Sequence, residues 1–285
     1  MPGVLITGSG MVAGGLAAAA ADRGMEHSVL SRTDLDVTNA QQAAWQIERL
    51  NPGVIFHTAA LTRVNHCEED PALAFEVNAG GTASIVAAAQ ACGAVVVLFS
   101  TDYVFDGSRE QGWLEADEPH PLNAYGRSKL AAERVVLEYK KGQVIRTSGV
   151  FGRRFDGKQE RNFFGAIREQ VTSGTGKIPV VSDQYSAVCY APFLGKMVLE
   201  GLDNGLERIE HMVCRGSESW AGWARLATGI LGFDPDRIEP VPSKTHFTGA
   251  MRPMHSVLKS SSPEVSEMGF RYRAIDGLSE YLSDD

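Results

Sequence analysis

Short apolar runs alternate with helical patterns along the first half of the chain. Val4-Leu5-Ile6 predicts a strand, followed by a Gly-rich turn and a helix from about Val12 to Arg23. His27 to Leu30 predicts the next strand, and Asn39 to Leu50 a helix with Asn39 near its start. Val54 to His57 predicts a strand, Pro71 to Cys92 a mostly helical stretch, and Val95 to Phe99 a strand apolar at every position. Ala124 to Tyr139 predicts a helix, and Val144-Ile145 begins a further strand. Strands without polar alternation are covered on both faces, and strand–helix alternation builds a parallel, doubly wound sheet. The second half is less regular. Helices are expected over Asn162 to Thr172, Ala191 to Leu202, Ser219 to Leu231 and Gly277 to Leu282, with a strand at Ile178 to Val181. Pro235 to Pro253 is expected to be loop or short strand. The expected fold is therefore α/β, a Rossmann-type doubly wound parallel sheet with a smaller mixed α/β C-terminal domain.

Composition adds limits. Apolar residues make up 44% of the 285-residue chain and charged residues 22%, which suits a packed core. The net charge of -8 argues against nucleic acid as a partner. Four cysteines without CxxC spacing predict free thiols and no zinc site, with Cys92 buried. No targeting pattern opens the chain and the Ala-rich run near Leu16 is too short for a bilayer, so a cytoplasmic protein without a membrane partner is expected.

Candidate chemistry gathers at strand ends. Gly8-Ser9-Gly10-Met11-Val12-Ala13 follows a strand and opens a helix, the G-x-G-x-x-A form that lets backbone N–H groups approach a pyrophosphate. Arg32, after the second strand, suits the 2′-phosphate of NADPH, with Asp36-Val37 beside the adenine; NADH stays open. Thr58-Ala59-Ala60 leaves room for a ligand after the third strand. Asn78 is placed mid-helix against its propensity, and its amide is expected to hold a neighbouring segment. Ser100-Thr101-Asp102-Tyr103 follows the all-apolar strand, placing a hydroxyl at the ligand crevice. Tyr125 and Lys129 share one helix face, where a nearby ammonium favours the phenolate and makes Tyr125 a proton donor. Arg153, Arg154, Lys158 and Arg161 form a basic cluster that suits either a diphosphate or solvent. His246 and His255 are lone loop histidines without an expected catalytic role.

STDYVFDG at 100–107 and PLNAYGRSK at 121–129 resemble the extended short-chain dehydrogenase/reductase superfamily, and within it the dTDP-4-dehydrorhamnose reductase family. HTAALTRV at 57–64, Arg146-Thr147-Ser148 and RPMHSVL at 252–258 extend the resemblance across most of the chain. It implies a cofactor domain over 1–148 and a mainly substrate-binding domain over 149–285, with some segments returning to the first sheet. It implies NAD(P)H and a catalytic set carried here by Thr101, Tyr125 and Lys129. Cofactor contacts are implied on Gly10-Met11-Val12, Asp36-Val37 and Ala60-Leu61-Thr62, extended by Gly8, Ser9, Arg32, Ala59, Asn78, Ser100, Tyr125 and Lys129. Substrate contacts fall on Thr101 and Asp102, with Tyr103, Gly149 and Arg252 as further candidates. No metal site is expected, and a homodimer stays open.

Two departures lie on the substrate side. Gly149 stands where the family carries Trp in Arg-Thr-Ser-Trp, and Asp183-Gln184-Tyr185-Ser186-Ala187-Val188-Cys189 replaces Asp-Gln-x-Gly-x-Pro-Thr. An altered pocket is expected, or an aromatic wall supplied by Phe151, Phe155 or Tyr185. The expected function is reduction of a nucleotide-linked 4-keto-6-deoxysugar. Reduction of a non-nucleotide ketone, or a non-catalytic cofactor-binding regulatory subunit, are the rival readings.

Overall fold

The computed structural model describes residues 3–158, 162–246 and 249–283. Strands β1 (Val4–Thr7), β2 (His27–Leu30), β3 (Val54–His57), β4 (Val95–Thr101) and β5 (Gly142–Thr147) are all parallel. They lie in the order β2-β1-β3-β4-β5. The chain runs outward from β1 to β2 and then returns to place β3 on the other side of β1. That reversal opens a crevice at the carboxyl ends of β1 and β3.

Alternation along each strand divides the core. Val4, Ile6, Phe56, Val97, Phe99 and Ile145 face one layer, whereas Leu5, Ile55, Val96, Leu98 and Val144 face the other. The second layer is covered by α2 (Ala40–Leu50), α5 (Gly81–Cys92) and α6 (Ala124–Glu138), and the first by α1 (Met11–Asp22). Between β3 and α5 come the short helices α3 (Val64–Glu69) and α4 (Pro71–Phe75) and a π-helical turn, Glu76–Gly80. The mostly helical stretch expected over Pro71 to Cys92 is thus one continuous run with a π-helical turn in its middle. Its run is apolar and long enough to cross a membrane by composition, yet α5 packs between α2 and α6.

The second half adds β6 (Val150–Phe151), α7 (Phe163–Ser173), β7 (Ile178–Val181), β8 (Tyr185–Ala187), β9 (Cys189–Tyr190), α8 (Ala191–Asn204), β10 (Ile209–His211), β11 (Ser217–Ser219) and α9 (Trp220–Ile230). It ends with β12 (Ile238–Val241), α10 (Ser243–His246), α11 (Pro263–Arg271) and α12 (Ala274–Ser283). Two of these return to the first sheet: α8 packs along α1, and β10 pairs in parallel with β5. The other strands form two-stranded ribbons, β6–β9, β7–β12 and β8–β11, under α9 and α12. Cys92 differs from expectation: it ends α5 beside the left-handed Gly93 and is half exposed.

Candidate functional site

A cavity of about 480 Å³ lies at the strand ends. Its first wall is made by Gly8, Ser9, Gly10, Met11 and Val12, where Gly10 starts α1 without a side-chain cap and leaves first-turn N–H groups facing the cavity. Arg32 stands exposed at the rim, with Asp36 and Val37 beside it. The Asp36 carboxylate accepts from the Thr38 hydroxyl and amide, which hold it below the ordinary carboxylate range. Ala59, Ala60, Leu61 and Thr62 complete this wall after β3.

Ser100, Thr101 and Asp102 enter from the end of β4, Tyr125 and Lys129 from α6, and Gly149 from beyond β5. Gly126 fixes the first turn of α6, because a Cβ there would stand 2.1 Å from the Tyr103 carbonyl oxygen. Asn123 caps that turn by accepting from Gly126 N–H at 2.8 Å. The Tyr125 phenol shares a hydrogen bond with Thr101. Burial raises the phenol above its ordinary range, Thr101 opposes the shift, and the Asp102 carboxylate adds to it. The expected depression by Lys129 is corrected here, since the Lys129 charge is felt at His57 and is answered by Glu133. Burial brings Lys129 down to about 8, against the opposing pull of Glu133. Asp102 is pushed up to about 6 by burial although the hydroxyls of Ser256, Ser148 and Thr101 all bond to it.

Behind the cavity lies a buried ionic network. Glu133 receives both Arg146 Nε at 3.0 Å and Nη2 at 2.7 Å, together with the Ser100 hydroxyl. Arg146 Nη1 is 3.4 Å from His211 Nε2, and His211 Nδ1 bonds the carbonyls of Trp113 and Lys259. Burial therefore keeps His211 neutral, at about 4. His57 is likewise buried, between Thr7 and Thr82, and lowered to about 3 by burial and by Lys129.

Three expected residues stand outside this cavity. Asn78 lies behind it, on the π-helical turn, accepting from Leu61 N–H at 2.7 Å and donating to Leu61 O at 3.1 Å. It thus shapes the cavity wall without lining it. Tyr103 lies edge-on to Tyr125 at 6.0 Å, and Arg252 lines an adjoining pocket. Of the basic cluster, Arg154 reaches the cavity and forks onto Asp156, which also accepts from Ser9. Arg161 and the side chain of His246 lie outside the described residues.

None of the three aromatic residues expected as a wall lines the cavity. Phe151 is fully buried against Phe164 and Tyr190, Phe155 is exposed near Gly14, and Tyr185 stacks on His255 at 5.2 Å. Gly149 has φ +50°, and a Cβ on it would meet Ala187 O at 2.8 Å and Val188 Cγ1 at 3.0 Å. The two sequence departures therefore touch: the 185–189 segment occupies the space into which a side chain at 149 would grow. Sequence reasoning missed His66, Thr147, Ser148 and Val150, which also line the cavity. The Arg146-Thr147-Ser148 motif was the available signal for two of them. Among the described residues no three His, Cys, Asp or Glu side chains converge as a metal-binding group.

Comparison with known proteins places this geometry. Residues 1–277 match the family model described as RmlD substrate binding domain. A dTDP-4-dehydrorhamnose reductase of Mycolicibacterium smegmatis is 36% identical over 261 residues, covering 90% of this chain and 78% of the relative. A dTDP-4-keto-6-deoxy-D-glucose reductase of Streptomyces niveus is 33% identical over 242 residues, covering 83% of this chain and 81% of the relative. The crystal structure of a Bacillus anthracis dTDP-4-dehydrorhamnose reductase in complex with NADP superimposes with a TM-score of 0.90 at 28% identity, over 100% of this chain and 99% of that one. The chain belongs to the RmlD family, that of the dTDP-4-dehydrorhamnose reductases, within the extended short-chain dehydrogenase/reductases.

Proposed function

We propose that this protein is an NADP(H)-dependent oxidoreductase that reduces the keto group of a nucleotide-linked 4-keto-6-deoxysugar. The observation that carries the reading is the meeting of Thr101, Tyr125 and Lys129 in one cavity with the uncapped α1 terminus. The cavity suits a dinucleotide. Its turn offers backbone donors to a pyrophosphate, Arg32 at the rim would hold a 2′-phosphate, and the Thr147 hydroxyl is buried at the wall without a hydrogen-bond partner. When bound, the nicotinamide supplies a hydride to the keto carbon.

The chain's own residues supply the proton and the orientation. The phenol of Tyr125 holds its proton firmly in its buried setting and gives it to the carbonyl oxygen as negative charge develops there. Thr101, whose own proton goes to Asp102 at 3.0 Å, holds the Tyr125 phenol in line through their shared hydrogen bond. Lys129 carries an ammonium below about pH 8 and offers its donors to the ribose hydroxyls of the cofactor. Glu133 keeps that ammonium charged from one turn further along α6. Asp102 accepts from sugar hydroxyls while its serine and threonine neighbours fix its position.

In this reading residues 1–148 bind the cofactor, and α8 and β10 belong with them. The remaining segments of 149–285 shape the sugar side. NADPH oxidation measured with dTDP-4-keto-6-deoxyglucose and with its 3,5-epimer tests the function. Turnover with one of the two is expected, and no turnover with either overturns it.

A further inference from the structure

The loop after β6 folds back over the start of α1. Gly152 and Gly157, both at positive φ, bound a strap at 153–156. The strap lies against the helix backbone: a Cβ on Gly14 would stand 2.6 Å from Arg153 O, and Phe155 N–H donates to Gly10 O at 3.4 Å. At its end the Asp156 carboxylate accepts from the Ser9 hydroxyl at 3.2 Å and from Arg154 Nε and Nη2, each at 2.9 Å. Ser9 and Arg154 line the reaction cavity, and Asp156 holds both from outside its lining. We infer, on the dinucleotide reading of the cavity, that Asp156 is a built-in competitor of the cofactor: it engages the Ser9 hydroxyl and the Arg154 fork, and the pyrophosphate takes both donors from it on binding. The strap thereby sets how tightly the cofactor is held.

Three features of the strap support this. First, carboxylate and phosphate present similar paired oxygens, so one guanidinium fork serves either. The anion that Arg154 and Ser9 now bond is one the chain itself supplies, at the turn whose backbone suits a phosphate. Second, the competitor stays charged. The Arg154 fork, helped by Lys158 N–H and Ser9, holds the Asp156 carboxyl well below the ordinary carboxylate range. Third, the exchange is cheap. Arg154 and Asp156 keep 25% and 20% of their side-chain surface exposed, and an ion pair in contact with water contributes little. A pyrophosphate gains more than Asp156 gives up, because it also meets the first-turn N–H groups that α1 leaves without a side-chain cap. The pair of positive-φ glycines lets the strap shift without disturbing β6 or α1.

Fluorescence titration with NADPH, in the absence of any keto sugar, tests the strap through a double-mutant cycle. Asp156→Asn should tighten NADPH binding by about two- to fivefold, because it releases the fork. Arg154→Gln should weaken it by about tenfold. In the double variant the gain from Asp156→Asn should vanish, since no fork is left to release. A gain that persists there would reduce Asp156 to plain charge repulsion and overturn the inference. Weaker binding in Asp156→Asn alone would overturn it too, by making Asp156 a support of the turn. Binding of 2′-AMP, which lacks the pyrophosphate, should be the same in Arg154→Gln as in the wild type; a loss would put the fork on the 2′-phosphate instead. Both side chains are part-exposed on a loop, so their replacement spares the core. Equal NADPH affinity in the wild type and all three variants removes the strap and leaves the cofactor reading standing. Absence of NADPH binding to the wild type overturns both.

Discussion

The two walls of the cavity are built on different plans. The wall proposed for the cofactor comes from three consecutive strand–loop units, at 8–12, 32–37 and 58–62, each a short run at the end of a strand. The wall proposed for the sugar is assembled around Asp102 from hydroxyls at 101, 148 and 256. Arg252 joins it through Tyr103. One wall is local backbone geometry, and the other is a set of long-range side-chain contacts. Backbone donors at a helix start tolerate sequence change as long as the turn survives. A caged carboxylate depends on every residue that encloses it. Departures from the family pattern are therefore expected on the second wall, where Gly149 lies with Ala187 and Val188 packed behind it.

Substitutions can break or sharpen this contrast. Tyr125→Phe removes the proposed proton donor where the walls meet, and kcat should fall by about 10²- to 10⁴-fold. NADPH affinity, followed by nicotinamide fluorescence, should hold, because the cofactor wall is untouched; retained kcat would remove Tyr125 from the mechanism. Glu133→Gln leaves Arg146 buried without its carboxylate, at an expected cost of about 3–5 kcal/mol in chemical denaturation. The double variant Glu133→Leu with Arg146→Leu should regain most of that loss, and a double variant as unstable as the single one would refute the argument.

Asp102→Asn separates stability from function. In the folded protein the Asp102 carboxyl, at about 6, stands above its ordinary 3.8, so the fold loses stability as pH rises through that window. The neutral amide should then raise stability at pH 7.5 by up to about 3 kcal/mol and give no gain near pH 4. Turnover should fall at the same time, and equal Tm differences at both pH values would contradict the assignment. The smallest effect is expected at the exposed rim. Arg32→Ala should reduce the preference for NADPH over NADH, as a ratio of kcat/KM, by about tenfold. An unchanged ratio would place the 2′-phosphate elsewhere.

Much of this was legible in the sequence for a physical reason. Apolar runs without polar alternation marked β1, β3 and β4, and the Gly-rich turn marked the start of α1. Thr101, Tyr125 and Lys129 were visible because strand ends and one helix turn impose short, fixed spacings. The ribbons β6–β9 and β8–β11 carry two or three residues per strand, too few for a period to show, and only their partners define them. Helix α11 was missed although Ser262-Pro263-Glu264 is a cap, a first-turn proline and an acidic first turn. Glu133 was equally available, one turn beyond Lys129, but its partner Arg146 lies on β5 and no local spacing links them.

By itself the sequence determined the strand–helix order, the Gly-rich turn and the Tyr125–Lys129 face, because these depend on contacts within a few residues. Tertiary structure decided the rest. It placed Asn78 behind Leu61, set Arg252 in a pocket beside the cavity, and turned the Lys129 charge toward His57 and Glu133. It also joined the two substrate-side departures, because residues 149 and 187 meet only when β6 pairs with β9. Burial shifts a proton, and long-range packing selects a partner. Neither can be read from spacing along a chain.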